Sequence, residues 1–333
     1  MKLSLILCTY MRPRAILTLL SSVETQVIYP DEIIIVDGSI DDKTCEVFKN
    51  KQFKNLKYFK VSKENRGLTN QRNFGISKVS KDIDIVCFLD DDVVLETTYF
   101  KKIIETYKKY PEAGGVGGYI TNEVTWKKLR KGDKISYSEY QIDGYVRHLG
   151  SRNVLRKKLG LLSNKPPCIM PDFANGFSIG NLPPNNKIYE VEHFIGCAMS
   201  FAKKTVDEIK FSNYFQGYGL YEDSDYCLRV SKKYKQYLNT GARLSHHHEA
   251  AGRPNKYKYG KMVTRNGWYI WRLKFPKPSL KARLKWNSIV FLLTIIRFSN
   301  IFTTQKKKEA FTESLGRTVG WFSLLITPPK IKF

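Results

Sequence analysis

Three consecutive aspartates, Asp90, Asp91 and Asp92, end the largely apolar run Ile83–Leu89, and they constrain the fold more than any other stretch. The run's length and β-branched content predict a strand that is buried on both faces. Because unpaired buried charge is costly, we expect the carboxylates at the strand's C-terminal end, where open α/β sheets bind ligands. Side chains alternate along an extended segment, so Asp90 and Asp92 should point one way and Asp91 the other. Two carboxylates aimed at one point suit Mg²⁺ or Mn²⁺, and a solvated acidic turn is the alternative.

Strands and helices alternate on both sides of this run. The predicted strands are Leu3–Cys8, Glu32–Val36, Leu56–Val61, Ile83–Leu89, Gly115–Ile120, Val191–Ala202 and Leu238–Ser245, and the predicted helices are Arg14–Thr25, 41–50, Leu68–Val79 and Thr97–Lys109. Such alternation predicts an α/β fold with a Rossmann-like, mostly parallel central sheet flanked by helices. Asp37 ends the second strand and should face the same crevice as Asp90. Residues 122–184 are irregular in pattern and predict a functional loop region or a small subdomain.

The charge is large and uneven. The chain carries a formal net charge of +25, and residues 253–333 hold 18 Lys and Arg against only Glu309 and Glu313. Such a segment favours an anionic partner, either nucleic acid or a membrane leaflet with acidic lipids. The apolar run Ile289–Ile296 is far shorter than the ~20 residues of a membrane span, so we expect a basic, amphipathic helical C-terminal extension that lies on a membrane surface. Helices that only pack on the sheet are the alternative.

The cysteines indicate a reducing compartment. Six cysteines are present, none in a C-x-x-C pair, and several lie within apolar runs. This pattern predicts reduced, mostly buried thiols on the cytosolic face rather than a disulfide framework or a zinc site. The short apolar start of the chain is interrupted by Thr9 and Arg12, which favours a first strand over a signal peptide.

Six motifs occur in a fixed order and together resemble one enzyme family. They are Ser4–Tyr10, Ile33–Ser39, Asn65–Gly75, Phe88–Val93, Gly196–Phe201 and the pair Glu222-Asp223. In order and spacing they resemble the family-2 glycosyltransferases, which bind nucleotide sugars with a GT-A fold. The resemblance covers about residues 1–250. It implies a GT-A domain over 1–252, with a nucleotide-binding half at 1–120 and an acceptor-binding half at 121–252, followed by the basic region 253–333.

The resemblance also implies roles for single residues. The nucleotide-binding set is Cys8, Thr9, Tyr10, Asp37, Arg72, Asp90 and Asp91. In this set Cys8–Tyr10 meet the base, Asp37 recognises the base or ribose, and Arg72 approaches the nucleotide or its diphosphate. Asp90 lies nearer the ribose, and Asp92 is the direct ligand of a divalent cation, Mn²⁺ or Mg²⁺. Around Asp37 this chain is one residue shorter than the usual motif.

Later residues complete the implied site. Asp223 resembles the catalytic base, which takes the acceptor hydroxyl's proton in an inverting displacement. Its neighbours Glu222 and Asp225 share the first turn of a helix, and the alternative is that all three acids only cap that helix. His246 and His248 follow a predicted strand on one face and resemble further metal ligands, although loop histidines that touch phosphate or solvent are equally compatible.

These features favour an inverting, metal-dependent glycosyltransferase at the cytoplasmic face. The expected donor is a nucleotide sugar, with UDP favoured by family frequency, and the acceptor is a glycan or lipid-linked hydroxyl in cell-surface polysaccharide synthesis. A nucleic-acid-binding protein rests on charge and aromatic content alone, and the sequence has no recognisable module for it. A sugar nucleotidyltransferase should open with a Gly-rich phosphate loop, whereas Cys8–Arg14 contains no glycine. The sequence leaves oligomerisation open.

Overall fold

The structure, a computed structural model, describes residues 1–248 and 253–331. Its strands are β1 (Leu3–Thr9), β2 (Glu32–Asp37), β3 (Leu56–Lys60), β4 (Ile85–Asp90), β5 (Val93–Leu95), β6 (Ala113–Ile120), β7 (Lys127–Lys128), β8 (Glu139–Ile142), β9 (Tyr145–His148), β10 (Ile188–Val191), β11 (Ala198–Ala202) and β12 (Lys235–His246). Its α-helices are α1 (Pro13–Glu24), α2 (Lys43–Asn50), α3 (Leu68–Ile76), α4 (Tyr99–Lys109), α5 (Ser151–Lys158), α6 (Lys203–Glu208), α7 (Glu222–Val230), α8 (Lys256–Lys274), α9 (Leu280–Thr303) and α10 (Lys307–Ile326).

A large central sheet has the order β10-β12-β6-β11-β4-β1-β2-β3, with β5 paired to β12. The β4-β1-β2-β3 half is parallel, as alternating strands and helices predict. The apolar side chains of β1, β2 and β4 are buried because helices cover the sheet. The predicted α/β class is therefore confirmed.

The register of the parallel half gathers the strand ends at one edge. Cys8 is the partner of Asp90, and Thr9 is the partner of Asp37. Because neighbouring parallel strands end side by side, residues that are distant in sequence meet at the carboxyl edge of the sheet.

The other half of the sheet is largely antiparallel and differs from the sequence expectation. The single strand predicted over Val191–Ala202 is two strands, β10 and β11, separated by a loop. β11 inserts antiparallel between β4 and β6, and β10 pairs with β12. β12 runs to His246, which is the register partner of Val93 in β5. This pairing places the histidine beside the aspartates.

The chain divides into two compact units. The first comprises residues 1–124 and 178–253 and contains the central sheet. The second comprises residues 125–177 and 254–333. Part of the segment predicted to be irregular thus forms structure within the second unit, namely the three-stranded sheet β7-β9-β8 and helix α5. The division of residues 1–252 into two halves at residue 120 stays a prediction.

Helices α8, α9 and α10 dominate the second unit. Helices α8 and α10 approach closely at glycines, since a Cβ on Gly260 or Gly316 would meet the opposing backbone at 2.2 or 2.1 Å. Helix α9 is 24 residues long, well beyond the short apolar run counted from the sequence. Among the described helices it is the one that is long and apolar enough to cross a membrane, which by itself is weak evidence for a span. Its position on a membrane surface stays a prediction.

Candidate active site

The three aspartates after β4 separate as the alternation of side chains predicts. Asp91 is buried and accepts hydrogen bonds from the Thr9 hydroxyl at 2.7 Å and from Arg12 Nη1 at 2.8 Å. Burial raises the pKa of Asp91 to about 6, although Arg12 opposes this shift. Asp91 therefore ties the end of β4 to the end of β1, while its two neighbours point elsewhere.

Asp90 and Asp92 converge on His246. Ligand atoms of these three residues lie within 4.8 Å of one another. The His246 Nε2 atom is 3.2 Å from Asp92 Oδ1. Burial raises the pKa of Asp90, and the neighbouring charge of Asp92 raises it further, so a cation between the two carboxylates would relieve their repulsion. Two carboxylates and an imidazole fit Mn²⁺ or Mg²⁺ in ligand chemistry.

Glu123 contacts His246 of this three-residue group, and it was not predicted from the sequence. Its Oε1 atom is 3.2 Å from His246 Nδ1 and 3.0 Å from His248 Nε2, so the three residues form a second group with the spacing of metal ligands. A carboxylate on Nδ1 keeps the proton there and directs Nε2 toward Asp92. Burial lowers the pKa of His246, but hydrogen bonds to Asp92, Cys197 and Glu123 raise it to about 12.

Arg72 links the strand end to helix α7. Its guanidinium is buried, pairs through Nη1 with Glu222, and reaches Asp90 Oδ1 at 3.3 Å and the Gly196 carbonyl at 3.1 Å through Nη2. Burial lowers the pKa of Arg72, but Glu222 and Asp90 raise it above its ordinary value. Arg72 therefore holds three elements of the site together.

The acids in the first turn of α7 have different partners. Asp225 pairs with Arg229 at 2.5 Å, and Glu222 pairs with Arg72. Asp223 instead accepts backbone N–H groups, from Gly196 at 2.9 Å and from Ser224 at 2.7 Å. Burial raises its pKa. A Cβ on Gly196 would lie 3.0 Å from Glu222 Oε1, so glycine allows this turn to approach the helix.

The remaining predicted residues lie along the same edge. Asp37 is fully buried and accepts hydrogen bonds from the Ser39 N–H at 2.8 Å and the Tyr58 hydroxyl at 2.6 Å. Burial raises the pKa of the Cys8 thiol to about 12. Tyr10 is exposed and directly follows β1.

The structure thus brings most of the predicted residues into one cluster within the first unit. Arg72 contacts Asp90 and the carbonyl of Gly196, and Asp223 accepts the N–H of the same glycine, which lies in the loop between β10 and β11. His248 is 53% exposed and lies at the rim, where it contacts Glu123. Glu123 could not be found from sequence because it stands alone in a polar segment without a motif.

Comparison with known proteins decides the family. The family described as Glycosyl transferase family 2 matches residues 4–182, more than half of the chain. The chain belongs to this family. The family assignment and the α/β architecture together identify the GT-A fold that the motifs predicted, and the basic helical tail lies beyond the match.

Several curated relatives of this family-2 glycosyltransferase resemble it over part of their length. The O-antigen chain rhamnosyltransferase RfbN of Salmonella typhimurium is 28% identical over 35% of this chain and 37% of its own length. The glucosyl-dolichyl phosphate glucuronosyltransferase of Haloferax volcanii is 29% identical over 38% and 41%. The poly-beta-1,6-N-acetyl-D-glucosamine synthase of Staphylococcus epidermidis is 35% identical over 35% and 28%. The matched region therefore spans less than half of each relative.

Proposed function

We propose that this protein is an inverting, metal-dependent glycosyltransferase that moves a sugar from a nucleotide sugar to a hydroxyl of a glycan or lipid-linked acceptor. One observation carries the proposal: Asp223 accepts the Gly196 N–H, and the carbonyl of the same glycine accepts from Arg72, which also reaches Asp90 at 3.3 Å. Asp90 in turn lies with Asp92 and His246 in the group that has the spacing of metal ligands. Membership of the family supports the reaction class.

The donor site is proposed at the carboxyl edge of the parallel strands. Asp90, Asp92 and His246 would hold Mn²⁺ or Mg²⁺, with phosphate oxygens and water completing the shell. A bound divalent cation stabilises the charge that develops on a departing diphosphate. Cys8, Thr9, Tyr10 and Asp37 lie where the base and ribose would bind, and Arg72 positions Asp90 rather than presenting a free guanidinium.

Asp223 is the proposed base. Two backbone N–H groups fix its carboxylate, and burial raises its pKa toward the range in which a carboxylate accepts a proton effectively. Glu222 and Asp225 are occupied by arginines, which leaves Asp223 to take the acceptor's proton.

The acceptor and the location follow from the relatives and the charge. The relatives' names include an O-antigen chain, a glucosyl-dolichyl phosphate and poly-beta-1,6-N-acetyl-D-glucosamine, and we therefore propose that this chain acts in cell-surface polysaccharide synthesis. UDP is the proposed nucleotide. The basic C-terminal region would hold the enzyme on the anionic cytoplasmic face of a membrane, with no nucleic acid as partner.

The test is release of the nucleoside diphosphate from a panel of nucleotide sugars, with and without Mn²⁺. We expect Mn²⁺-dependent turnover of at least one donor, and Asp92→Ala should lower it about a hundredfold or more, because a bound cation supplies several kcal/mol of charge stabilisation. The matched control is Asp82→Ala, which removes an exposed aspartate before the start of β4. No turnover with any donor, or equal turnover in Asp92→Ala and wild type, would refute the proposal.

A further inference from the structure

A small pocket between helices α8, α9 and α10 has an unusual lining. Its volume is about 150 Å³, and four tryptophans face it: Trp268, Trp271, Trp286 and Trp321. Trp271 and Trp286 stack at 5.1 Å between ring centroids. Tryptophan is enriched where a protein meets the interface of a bilayer, because its ring is apolar and its N–H is polar.

Two arginines also line the pocket, and neither has an acidic partner in the part of the chain that the structure describes. Arg272 lies over the rings of Trp268 and Trp271 at 5.3 and 5.7 Å, and Arg283 enters from α9. Among the described residues neither guanidinium forms an ion pair, although each donates to a backbone carbonyl. The Arg272 Nε–H is buried without a hydrogen-bond partner. Burial lowers the pKa of Arg272, and the positive charge of Arg283 lowers it further.

Two other arginines of the same helices do have an acidic partner. Arg297 and Arg317 share the buried carboxylate of Glu313 at 2.9 and 2.8 Å. The structure therefore neutralises one pair of tail arginines internally, whereas Arg272 and Arg283 line one pocket and pair with no acid of the described chain. Two neighbouring guanidiniums, one with a buried Nε–H that has no partner there, match the oxygens of a phosphate group.

The helices that carry the pocket also expose apolar side chains. On α9 these are Leu284, Phe291, Ile295, Phe298 and Phe302, and on α10 they are Phe311, Leu315, Phe322 and Ile326. Their spacing of three, four or seven residues places each set on one face of its helix. An apolar face flanked by basic residues is typical of a helix that lies in a lipid interface.

We propose that this Trp/Arg pocket binds the phosphate group of a membrane phospholipid, while the apolar faces of α9 and α10 enter the bilayer interface. Charge complementarity favours this occupant, because the pocket offers two cations and residues 253–333 hold only two acids, Glu309 and Glu313. The inference rests on the membrane-surface part of the proposed function and adds recognition of the head group's phosphate to simple charge attraction.

Vesicle binding distinguishes recognition of the phosphate group from simple charge attraction. Full-length protein is titrated with vesicles that contain phosphatidylglycerol, and with vesicles of equal surface charge whose anionic lipid carries a carboxylate instead of a phosphate. We expect phosphate vesicles to bind about tenfold more tightly, because Arg forms bidentate bonds with phosphate. Four of the five tryptophans line the pocket, so their emission should shift on binding.

Substitutions test whether the two pocket arginines cause the preference for phosphate vesicles. The double variant R272Q/R283Q should bind both vesicles equally, and R272K/R283K should keep the charge but lose most of the preference, since lysine lacks the planar fork. The matched control K277Q/K281Q removes two nearby exposed cations outside the pocket and should weaken both vesicles alike, which preserves the ratio. Thermal melts verify that each variant folds.

Several outcomes would overturn the proposal. Equal binding of wild type to both vesicles would mean that charge alone acts, and an unchanged ratio in R272Q/R283Q would place the preference elsewhere. Saturation of the tryptophan shift by inorganic phosphate without vesicles would make this a soluble-phosphate site. A tryptophan emission shift that depends on protein concentration would indicate that the apolar faces of α9 and α10 are a contact between two copies of this chain. Nucleotide-sugar turnover, measured on the same samples, reports separately on the proposed transferase.

Discussion

The local environment of each carboxylate distinguishes acids that maintain the structure from acids that remain able to react. Within one helical turn Glu222 and Asp225 pair with arginines, whereas Asp223 accepts the backbone N–H groups of Gly196 and Ser224. At the end of β4, Asp91 is bound by Thr9 and Arg12, while Asp90 and Asp92 lie with His246 in the group that has the spacing of metal ligands. Arg72 also reaches Asp90, and Arg12 lies 3.8 Å from Asp92.

The substitution Asp223→Asn should abolish sugar transfer, because the amide keeps the shape of the side chain but cannot accept the acceptor's proton. The expected loss in kcat is about 10²–10⁴-fold, with binding of the nucleotide sugar retained. Asp225→Asn is the matched control in the same turn: it breaks the pair with Arg229 and should lower the melting temperature while kcat changes by less than about threefold. Equal kinetic losses in the two variants would remove Asp223 from its assigned role.

The buried position of Asp223 also predicts a pH dependence. Its pKa is raised above the ordinary aspartate value of 3.8, and the deprotonated form is the active base. As pH falls through the raised pKa, the fraction of competent base decreases, so kcat/KM should fall at a higher pH than for a free aspartate. The measurement is a kcat/KM profile at saturating Mn²⁺, with circular dichroism verifying that the fold persists. A profile that stays flat down to pH 4 would contradict the assignment.

Glu123 gives a prediction about metal binding itself. Because its carboxylate orients His246 through Nδ1, Glu123→Gln should weaken Mn²⁺ binding about 10–100-fold. Free Mn²⁺ is measured by electron paramagnetic resonance without any substrate. Glu190→Gln, which changes an exposed glutamate of β10 paired with Lys235, is the control and should bind Mn²⁺ as wild type does. Unchanged Mn²⁺ affinity in Glu123→Gln would mean that His246 does not need Glu123 to orient it for metal binding.

At the scale of elements, sequence predicts what depends on local pattern and misses what depends on distant partners. The strands β1, β2 and β4 are continuous apolar runs, and their predicted bounds agree with the structure within about two residues. The loop between β10 and β11, residues 192–197, has one glycine, Gly196, among the apolar residues Phe194, Ile195 and Cys197, so the two strands appear as one apolar segment in the sequence. Strand β7 is only Lys127–Lys128, and its pairing with β9 leaves no periodicity to detect.

The close packing of α8 against α10 can be tested by substituting a glycine at their contact. A methyl group on Gly316 would meet the Tyr257 carbonyl oxygen at 2.1 Å, so the helices must separate to accept it. We expect Gly316→Ala to lower the free energy of unfolding of the second unit by about 1–3 kcal/mol or more. Leu315→Ala, at the exposed neighbouring position, should change it far less. Chemical denaturation followed by tryptophan emission measures both, and equal stability of Gly316→Ala and wild type would contradict the close packing.

At the scale of the whole molecule, the two units differ in chemistry. The first holds the acidic cluster and the larger part of the matched family region, whose residues 125–177 belong to the second unit. The second also holds the tryptophan-lined pocket and most of the basic tail. The composition of the tail predicted an anionic partner, and its helices were partly predictable. Which residues form the second unit could not be predicted. Residues 125–177 join residues 254–333 across more than 75 residues of intervening chain, and no local pattern in sequence records such a contact.

The proposed mechanism requires a cation-bound diphosphate at the end of β4 with its sugar facing Asp223. A crystal structure with Mn²⁺ and a UDP-sugar soaked in tests this arrangement, because anomalous scattering locates the metal. We predict an Mn²⁺ peak within about 2.5 Å of an Asp92 carboxylate oxygen and His246 Nε2, with the anomeric carbon facing the Asp223 carboxylate. A nucleotide bound away from Asp90 and Asp92, or a sugar directed away from Asp223, would contradict the account.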